Sequence, residues 1–287
     1  MTDALTDDDL RLVPTTGSAE FTGFAIELSG SRVGTVAVQH DGPHSGSLRW
    51  NVGAEGRDQG IALRSLRLAV EYAFAELGLT RIEARIDVAD TGNIRNASIT
   101  GLRREGIIRG HGDEPDRVLL ARLADDPAPF SHAGFISILN AGLPRKRVIS
   151  QGLLRDENGR ALLCQLTYKS EWDLPGGVVE VGEAPAAGLV RELQEELGIT
   201  VDVKGLITVN WLPAWHEWDD ACIFLFDLGV VDSSITDGMK LQPTEIKAVQ
   251  WCDPQTVLAN ATGATIELLG AVDAGGISPY REAPLAD

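Results

Sequence analysis

One stretch constrains this chain more than any other: Gly177 to Ile199, GVVEVGEAPAAGLVRELQEELGI, a short loop running into a helix-forming segment with five glutamates and one arginine. Pro185 suits the first turn of a helix, where its missing N–H is not needed, and Gly198 suits the position just past the end. A helix is therefore predicted from about Ala184 to Leu197. Leu189, Leu193 and Leu197 form an apolar stripe at i, i+4 and i+8 that would dock it. Glu192, Glu195 and Glu196 stand at i, i+3 and i+4, which puts three carboxylates on neighbouring positions of one surface. Their repulsion costs only about 0.2–0.5 kcal/mol per pair on a solvated helix, so an exposed acidic face is one reading. The other is a cradle for divalent cations, because Mg2+ takes hard oxygen ligands. Gly176-Gly177 just upstream would let a backbone carbonyl approach such an ion closely.

The segment resembles the Nudix box of Nudix hydrolases. That pattern asks for Gly, five residues, Glu, seven residues, Arg-Glu, an aliphatic residue, any residue, Glu-Glu, any residue, Gly and an aliphatic residue. Gly177, Glu183, Arg191, Glu192, Leu193, Glu195, Glu196, Gly198 and Ile199 fill every specified position. The resemblance implies an α/β/α sandwich with a mixed sheet over residues 146–287. It also implies hydrolysis of a nucleoside diphosphate linked to another moiety, with Mg2+ or Mn2+ as cofactor. Glu192, Glu195, Glu196 and the Gly177 carbonyl are the implied metal ligands, and Arg191 is implied to orient Glu183 or a neighbouring carboxylate. Members often recruit a further carboxylate from outside the box, for which Glu217, Asp219, Asp220, Asp237 and Glu245 are candidates. Glu245, in a loop leading into a strand, is favoured. Trp211, Trp215 and Trp218 crowd one segment with His216, and one of the three is expected to touch substrate, since aromatic faces stack nucleobases.

With 287 residues and 44% hydrophobic composition, two domains of ordinary size are expected. No run approaches the roughly eighteen apolar residues of a membrane span. The N-terminus, MTDALTDDDLRL, is acidic where a secretion signal would be basic, so a cytoplasmic location is the expectation. Cys164, Cys222 and Cys252 lie far apart and indicate neither a disulfide framework nor a zinc site. A formal net charge of -17 argues against duplex nucleic acid as a partner, because phosphate contacts need clustered Lys and Arg. A small nucleotide-type substrate remains compatible with it, and a homodimer is left open.

Residues 1 to 125 read as an α/β unit. Strands are expected at Leu10–Val13, Phe21–Leu28, Arg32–Gln39, Ser47–Val52, Arg81–Val88 and Val118–Leu123, with a helical pattern ending at Leu77 and a short polar helix from Asn93 to Thr100. Arg57-Asp58-Gln59-Gly60-Ile61-Ala62 lies between a strand and a helix N-terminus, where free N–H groups bind phosphate. A plain structural turn is the alternative. With the helix, strand and GLRREGIIR run that follow, this turn resembles the acetyl-CoA-binding part of GNAT N-acetyltransferases, Arg57, Gly60 and Ala62 matching the family signature. The resemblance implies acetyl-CoA as a ligand, its pyrophosphate held by the turn's backbone. Only Pro14 to about Glu20 separates the first two strands, so the two helices usual there are expected to be missing. Residues 126–145 read as a connecting segment too apolar to be free.

In the second half, strands are expected at Val148–Arg155 and Arg160–Leu166, joined by a hairpin turn, then at Val201–Asn210, Ala221–Leu228 and Ala248–Cys252, with a helix near Asp253–Ala259. A bifunctional enzyme that also transfers acetyl, or a hydrolase regulated by a CoA-like ligand on its N-terminal domain, is the alternative reading.

Overall fold

Alternation of apolar and polar side chains builds the first sheet. In β3 (Phe21–Leu28), β4 (Ser31–His40) and β5 (Ser45–Val52), residues such as Phe24, Ile26, Val36, Val38 and Leu48 turn to one face and are buried. With β1 (Leu5–Asp7), β2 (Leu10–Pro14), β6 (Arg81–Asp87), β7 (Arg103–Ile108) and β8 (Arg117–Leu123) they form an eight-stranded sheet in the order β1-β2-β3-β4-β5-β6-β8-β7. The computed structural model describes residues 4–15, 18, 20–53, 60–214 and 218–283, and the chain divides into two compact units, Met1–Pro144 and Arg145–Asp287.

Helix α1 (Ile61–Ala75) lays Ile61, Leu66, Ala69, Val70 and Ala73 on the buried face of this sheet, and α2 (Thr91–Ile99) adds Ala97 beside it. Among the described residues no helix precedes Ile61, and β2 and β3 are too close in sequence to hold one. The parallel pair β5–β6 is joined only from Ser45–Arg81 to Ser47–Glu83. Beyond that point they no longer pair with each other, β5 continuing on β4 and β6 on β8. Strand β7 was not anticipated, and neither was α3 (His132–Gly142), which packs on β7 and is capped by Ser131, whose hydroxyl accepts from the Gly134 amide at 3.0 Å.

The second unit is a sheet between helices. Strands β9 (Arg147–Asp156), β10 (Ala161–Leu166), β11 (Trp172–Asp173), β12 (Gly176–Val178), β13 (Gly205–Leu212), β14 (Ala221–Val231), β15 (Ile246–Cys252) and β16 (Tyr280–Glu282) pair in the order β11-β10-β9-β14-β13-β16, with β12 on β9 and β15 on β10. The β14–β9 and β13–β16 pairs are parallel and the rest antiparallel, so the sheet is mixed. Helix α4 (Pro185–Leu197) covers one face with Leu189, Leu193 and Leu197. Helices α5 (Pro254–Asn260) and α6 (Gly263–Asp273) cover the other with Val257, Leu268 and Leu269.

Two local expectations change. Residues 201–204 are not strand; β13 starts at Gly205, because Val201 and Val203 instead turn into the α4 core. The turn after Asp156 forms no extended hairpin: β9 and β10 meet at one pair, Ala161 with Arg155, while β10 pairs along its length with β15. Helix α6 and β16, which lie beyond the last predicted helix, complete the sandwich. No described helix is long and apolar enough to cross a membrane.

The turn between β9 and β10 is held by Asp156, which is 1% exposed. Its carboxylate accepts from the amides of Asn158 at 3.0 Å and Arg160 at 2.7 Å and from Arg160 Nε at 2.7 Å. Burial alone would raise its pKa, but these donors outweigh it and hold it below the ordinary value. A carboxylate with a depressed folded-state pKa stabilises the fold above its unfolded pKa, and that contribution is lost as pH falls through the folded value. Thermal melts of wild type and Asp156→Asn are therefore expected to differ most at neutral pH and to converge below about pH 4; a constant gap down to strong acid would refute this account.

Candidate active site

Helix α4 begins without a side-chain cap at Ala184, starts with Pro185 in its first turn, and stops where Gly198 takes the left-handed conformation at φ 68°. Its leucine stripe is fully buried. At about 1.5–3 kcal/mol per buried leucine, docking outweighs the tenths of a kcal/mol lost to glutamate repulsion, so packing dictates which carboxylates face inward. Glu196 is one of them, only 7% exposed, while Glu195 stays on the open side with its side chain 57% exposed.

Two glycines shape the strand that faces the helix. Gly176 has φ 135°, and a Cβ there would stand 2.1 Å from the Ser150 carbonyl oxygen. A Cβ on Gly177 would lie 2.5 Å from the Glu192 carboxyl carbon, so only a glycine lets that carboxylate rest against the β12 backbone. Arg191 ties the cluster together. Its Nε and Nη2 donate to the two Glu183 oxygens at 3.0 and 3.1 Å, its Nη1 donates to Glu192 and Glu195 at 3.0 Å each, and Nη2 also reaches the Val178 carbonyl at 3.1 Å. Glu183 in turn accepts from the Glu180 amide at 3.1 Å, and the guanidinium holds its pKa below the ordinary value. Gly188 leaves room for this carboxylate, since a Cβ there would be 2.8 Å from Glu183 Oε2.

The electrostatics single out one group. Burial, then the charges of Glu192 and Glu245, push the Glu196 carboxyl up to about 8, against the pull of the Gly176 amide. Glu192 is also raised, chiefly by burial, with Arg191 opposing. Glu245 thus lies beside Glu196, whereas Asp220 is engaged by Lys146 and by the Trp211 indole N–H at 3.1 Å. Asp219 accepts from Arg147 through its backbone at 3.0 Å, and Asp237 sits in a separate 3-10 turn, Ser233–Gly238. Trp218 is stacked by the Arg147 guanidinium 4.6 Å away. Trp215, His216 and Glu217 lie outside the described residues.

The structure accordingly brings together Gly177, Glu183, Arg191, Glu192, Glu195, Glu196 and Glu245. The donor set suits a divalent cation: all hard oxygens, with one carboxyl whose pKa burial and neighbouring carboxylates raise and which a cation would draw into its charged form. As the side chains stand, no three His, Cys, Asp or Glu among the described residues converge on one point. Arg191 Nη1 engages only Oε1 of Glu192 and Oε2 of Glu195, which leaves the second oxygen of each carboxylate free of it. Sequence reasoning did not single out Asp173, on which Gln151 Nε2 at 3.1 Å, Lys169 Nζ at 2.9 Å and the Thr265 hydroxyl at 2.6 Å converge from three separate segments. Only the tertiary fold joins them.

In the first unit, Arg57, Asp58 and Gln59 lie outside the described residues. Gly60 takes φ 65° and starts α1, Ile61 is buried in the core, and Ala62 borders a cleft of about 450 Å3 lined also by Trp50, Asn51, Val52, Asp90, Gly92, Asn93 and Asn96. The Trp50 indole donates to Asn93 Oδ1 at 2.9 Å, and Asp90 caps α2 by accepting from the Asn93 amide at 3.0 Å. The cleft opens where β5 and β6 no longer pair.

Residues 145–269 match the family model described as NUDIX domain, and residues 3–103 match that described as Acetyltransferase (GNAT) domain. A MutT-like protein of Streptomyces ambofaciens is 32% identical over 134 residues, 46% of this chain and 81% of that protein. A CTP pyrophosphohydrolase of Escherichia coli is 34% identical over 107 residues, 36% of this chain and 73% of that protein. An 8-oxo-dGTP diphosphatase of Escherichia coli is 38% identical over 60 residues, 20% of this chain and 46% of that protein, so the match spans about half its length. The chain belongs to the Nudix hydrolases, enzymes that cut phosphoanhydride bonds, and carries a GNAT domain ahead of its Nudix domain.

Proposed function

We infer that the second unit is a pyrophosphohydrolase dependent on Mg2+ or Mn2+, cleaving a nucleoside diphosphate linked to a further group. Residues 146–287 carry this activity, residues 1–125 form an acyl-CoA-binding domain, and 126–145 connect them. The observation that carries the reading is the geometry of the box: Glu196, only 7% exposed, sits with Glu192 and Glu245 beside the Gly176–Gly177 backbone, and Arg191 ties in Glu183 and Glu195. A divalent cation bound by Glu192, Glu195, Glu196 and the Gly177 carbonyl would neutralise the diphosphate and lower the pKa of a bound water. Arg191 clamps Glu183 from two sides and so fixes the loop ahead of α4 against the strand that presents Gly177. Glu245, exposed at the rim and able to reach water, is the residue assigned to take the proton of the attacking water. Tyr168, 72% exposed and close to Glu196, Asp173 and Glu245, borders the opening through which substrate would enter.

A panel of nucleoside diphosphate derivatives with Mg2+ or Mn2+ tests this directly. Nucleoside monophosphate release should require the ion, and Glu196→Gln should lower kcat by about 100-fold or more. Activity that survives Glu196→Gln would sink the assignment. Glu245→Gln should depress kcat with little change in KM.

The raised Glu196 pKa has a stability consequence of definite sign. The folded state holds its proton up to about pH 8, whereas the unfolded chain releases it near the ordinary carboxylate value. Stability of the chelator-treated protein should therefore fall as pH rises through that window. Glu196→Gln should melt higher than wild type in chelator at pH 8.5, by about a few kcal/mol at most, and Mg2+ should raise the melting temperature of wild type only. The same response in both proteins would contradict a metal held by Glu196.

For the first unit, the cleft at the N-terminus of α1 supports acetyl-CoA binding. Among its described lining residues Asp90 is the only acid or base, and its carboxylate is spent capping α2. That favours a ligand-binding role that regulates the hydrolase over acetyl transfer, with the bifunctional enzyme as the competing reading. Calorimetric titration of the full chain with acetyl-CoA should show binding that Asn93→Ala weakens; absence of heat would remove both CoA-dependent readings.

A further inference from the structure

A second pocket of the first unit, about 370 Å3, is lined by Gln39, Asp41, Ser47, Leu48, Arg49, Arg85 and Arg117. Its placement follows from strand alternation. In β6, Ile82, Ala84 and Ile86 are buried against the core, so Arg85 points the other way. Arg117 pairs across from Asp87 on β8, which puts it on the same face as Arg85. Leu48 faces the core, so Arg49 faces away from it, next to the pair Gln39–Ser47. Both α1 and α2 lie on the opposite, buried face. The three arginines thus reach the open face of the sheet from three strands, β5, β6 and β8, where β5 and β6 part.

Such a concentration of positive charge is out of keeping with the rest of the chain, which has 42 acidic and 25 basic residues. Arg85 has one acidic partner, Glu83 at 3.3 Å. Arg49 and Arg117 make no side-chain hydrogen bond or ion pair among the described residues, and Asp41 is the one acid that lines the pocket. Elsewhere in this unit Arg64, Arg81 and Arg103 are ion-paired, while Arg11, Arg32, Arg95, Arg104 and Arg109 make no ion pair among the described residues; what sets Arg49, Arg85 and Arg117 apart is that they line one pocket. Glu83 answers Arg85, Asp87 lies across from Arg117 and Asp41 lines the pocket, but neither Arg49 nor Arg117 is held in an ion pair among the described residues, which leaves their planar forks free to take an anion bidentately. A volume of this size is on the scale of small-ligand sites.

We propose that this pocket is an anion-binding site for a small molecule bearing at least two negative charges, on a phosphate ester, a diphosphate or a polycarboxylate. Arg49 and Arg117 grip the oxyanion, Arg85 adds a third contact, and Gln39 and Ser47 offer neutral donors at the rim. The site is distinct from the Trp50–Asn96 cleft of the same unit, whose lining residues it does not share.

The test is calorimetric titration of the full chain, in excess chelator and at low ionic strength, with inorganic phosphate, inorganic pyrophosphate and citrate. Pyrophosphate or citrate should bind more tightly than phosphate, and the stronger of the two identifies phosphoryl or carboxylate as the natural group. Arg49→Gln and Arg117→Gln should each weaken that binding by about tenfold or more while leaving the melting temperature unchanged, since both side chains are exposed. Arg11→Gln, on an exposed position of β2, is the control and should bind as wild type does. No heat with any of the three anions at millimolar concentration, or binding that persists in both pocket variants, would overturn the proposal.

Discussion

The fork of Arg191 is the contact on which the rest of the active site depends. One guanidinium reaches Glu183 with two nitrogens, shares a third between Glu192 and Glu195, and touches the Val178 carbonyl. It thereby joins three pieces of chain through one side chain: the loop before α4, the helix itself and the end of β12. Charge explains why an arginine is needed. Three carboxylates crowd one guanidinium, and a lysine would supply the charge without the fixed fork. The same contact leaves the second oxygen of Glu192 and of Glu195 free of the guanidinium.

Beneath that contact, hydrophobic docking decides protonation chemistry. The leucine stripe of α4 meets Leu154, Leu162, Phe226 and Leu228 of the sheet, and the helix can turn no further without exposing it. Glu196, one turn after Glu192 and one residue before Leu197, is carried into a low-dielectric position as a result. Its raised pKa is the cost of that packing, which a cation would offset by drawing the group into its charged form. The glycines at 176, 177 and 188 make the arrangement sterically feasible, because a methyl at any of them would meet backbone or carboxylate atoms closer than 3.0 Å.

In the first unit the governing constraint is the parting of β5 and β6. Parallel pairing holds for three residues and then stops, which opens the sheet on both faces. One opening lies against the N-termini of α1 and α2 and is lined by neutral side chains and Asp90. The other lies on the face opposite α1 and α2 and is lined by arginines. The short connection between β2 and β3, which leaves no room for helices, belongs to the same pattern of a unit pared down on one side.

Much of this was legible in the chain itself. The spacing of Gly177, Glu183, Arg191, Glu192, Glu195 and Glu196 determined the box helix and its leucine stripe, and Pro185 and Gly198 marked its ends, because helical period and capping are local properties. The burial of Glu196, the approach of Glu245 from some fifty residues away, and the meeting of Asp173 with Gln151 and Thr265 were decided only by tertiary structure. So were α3, β16 and the arginine pocket. Each depends on strand order and on which faces come together, and no local sequence pattern encodes which distant strand will lie alongside.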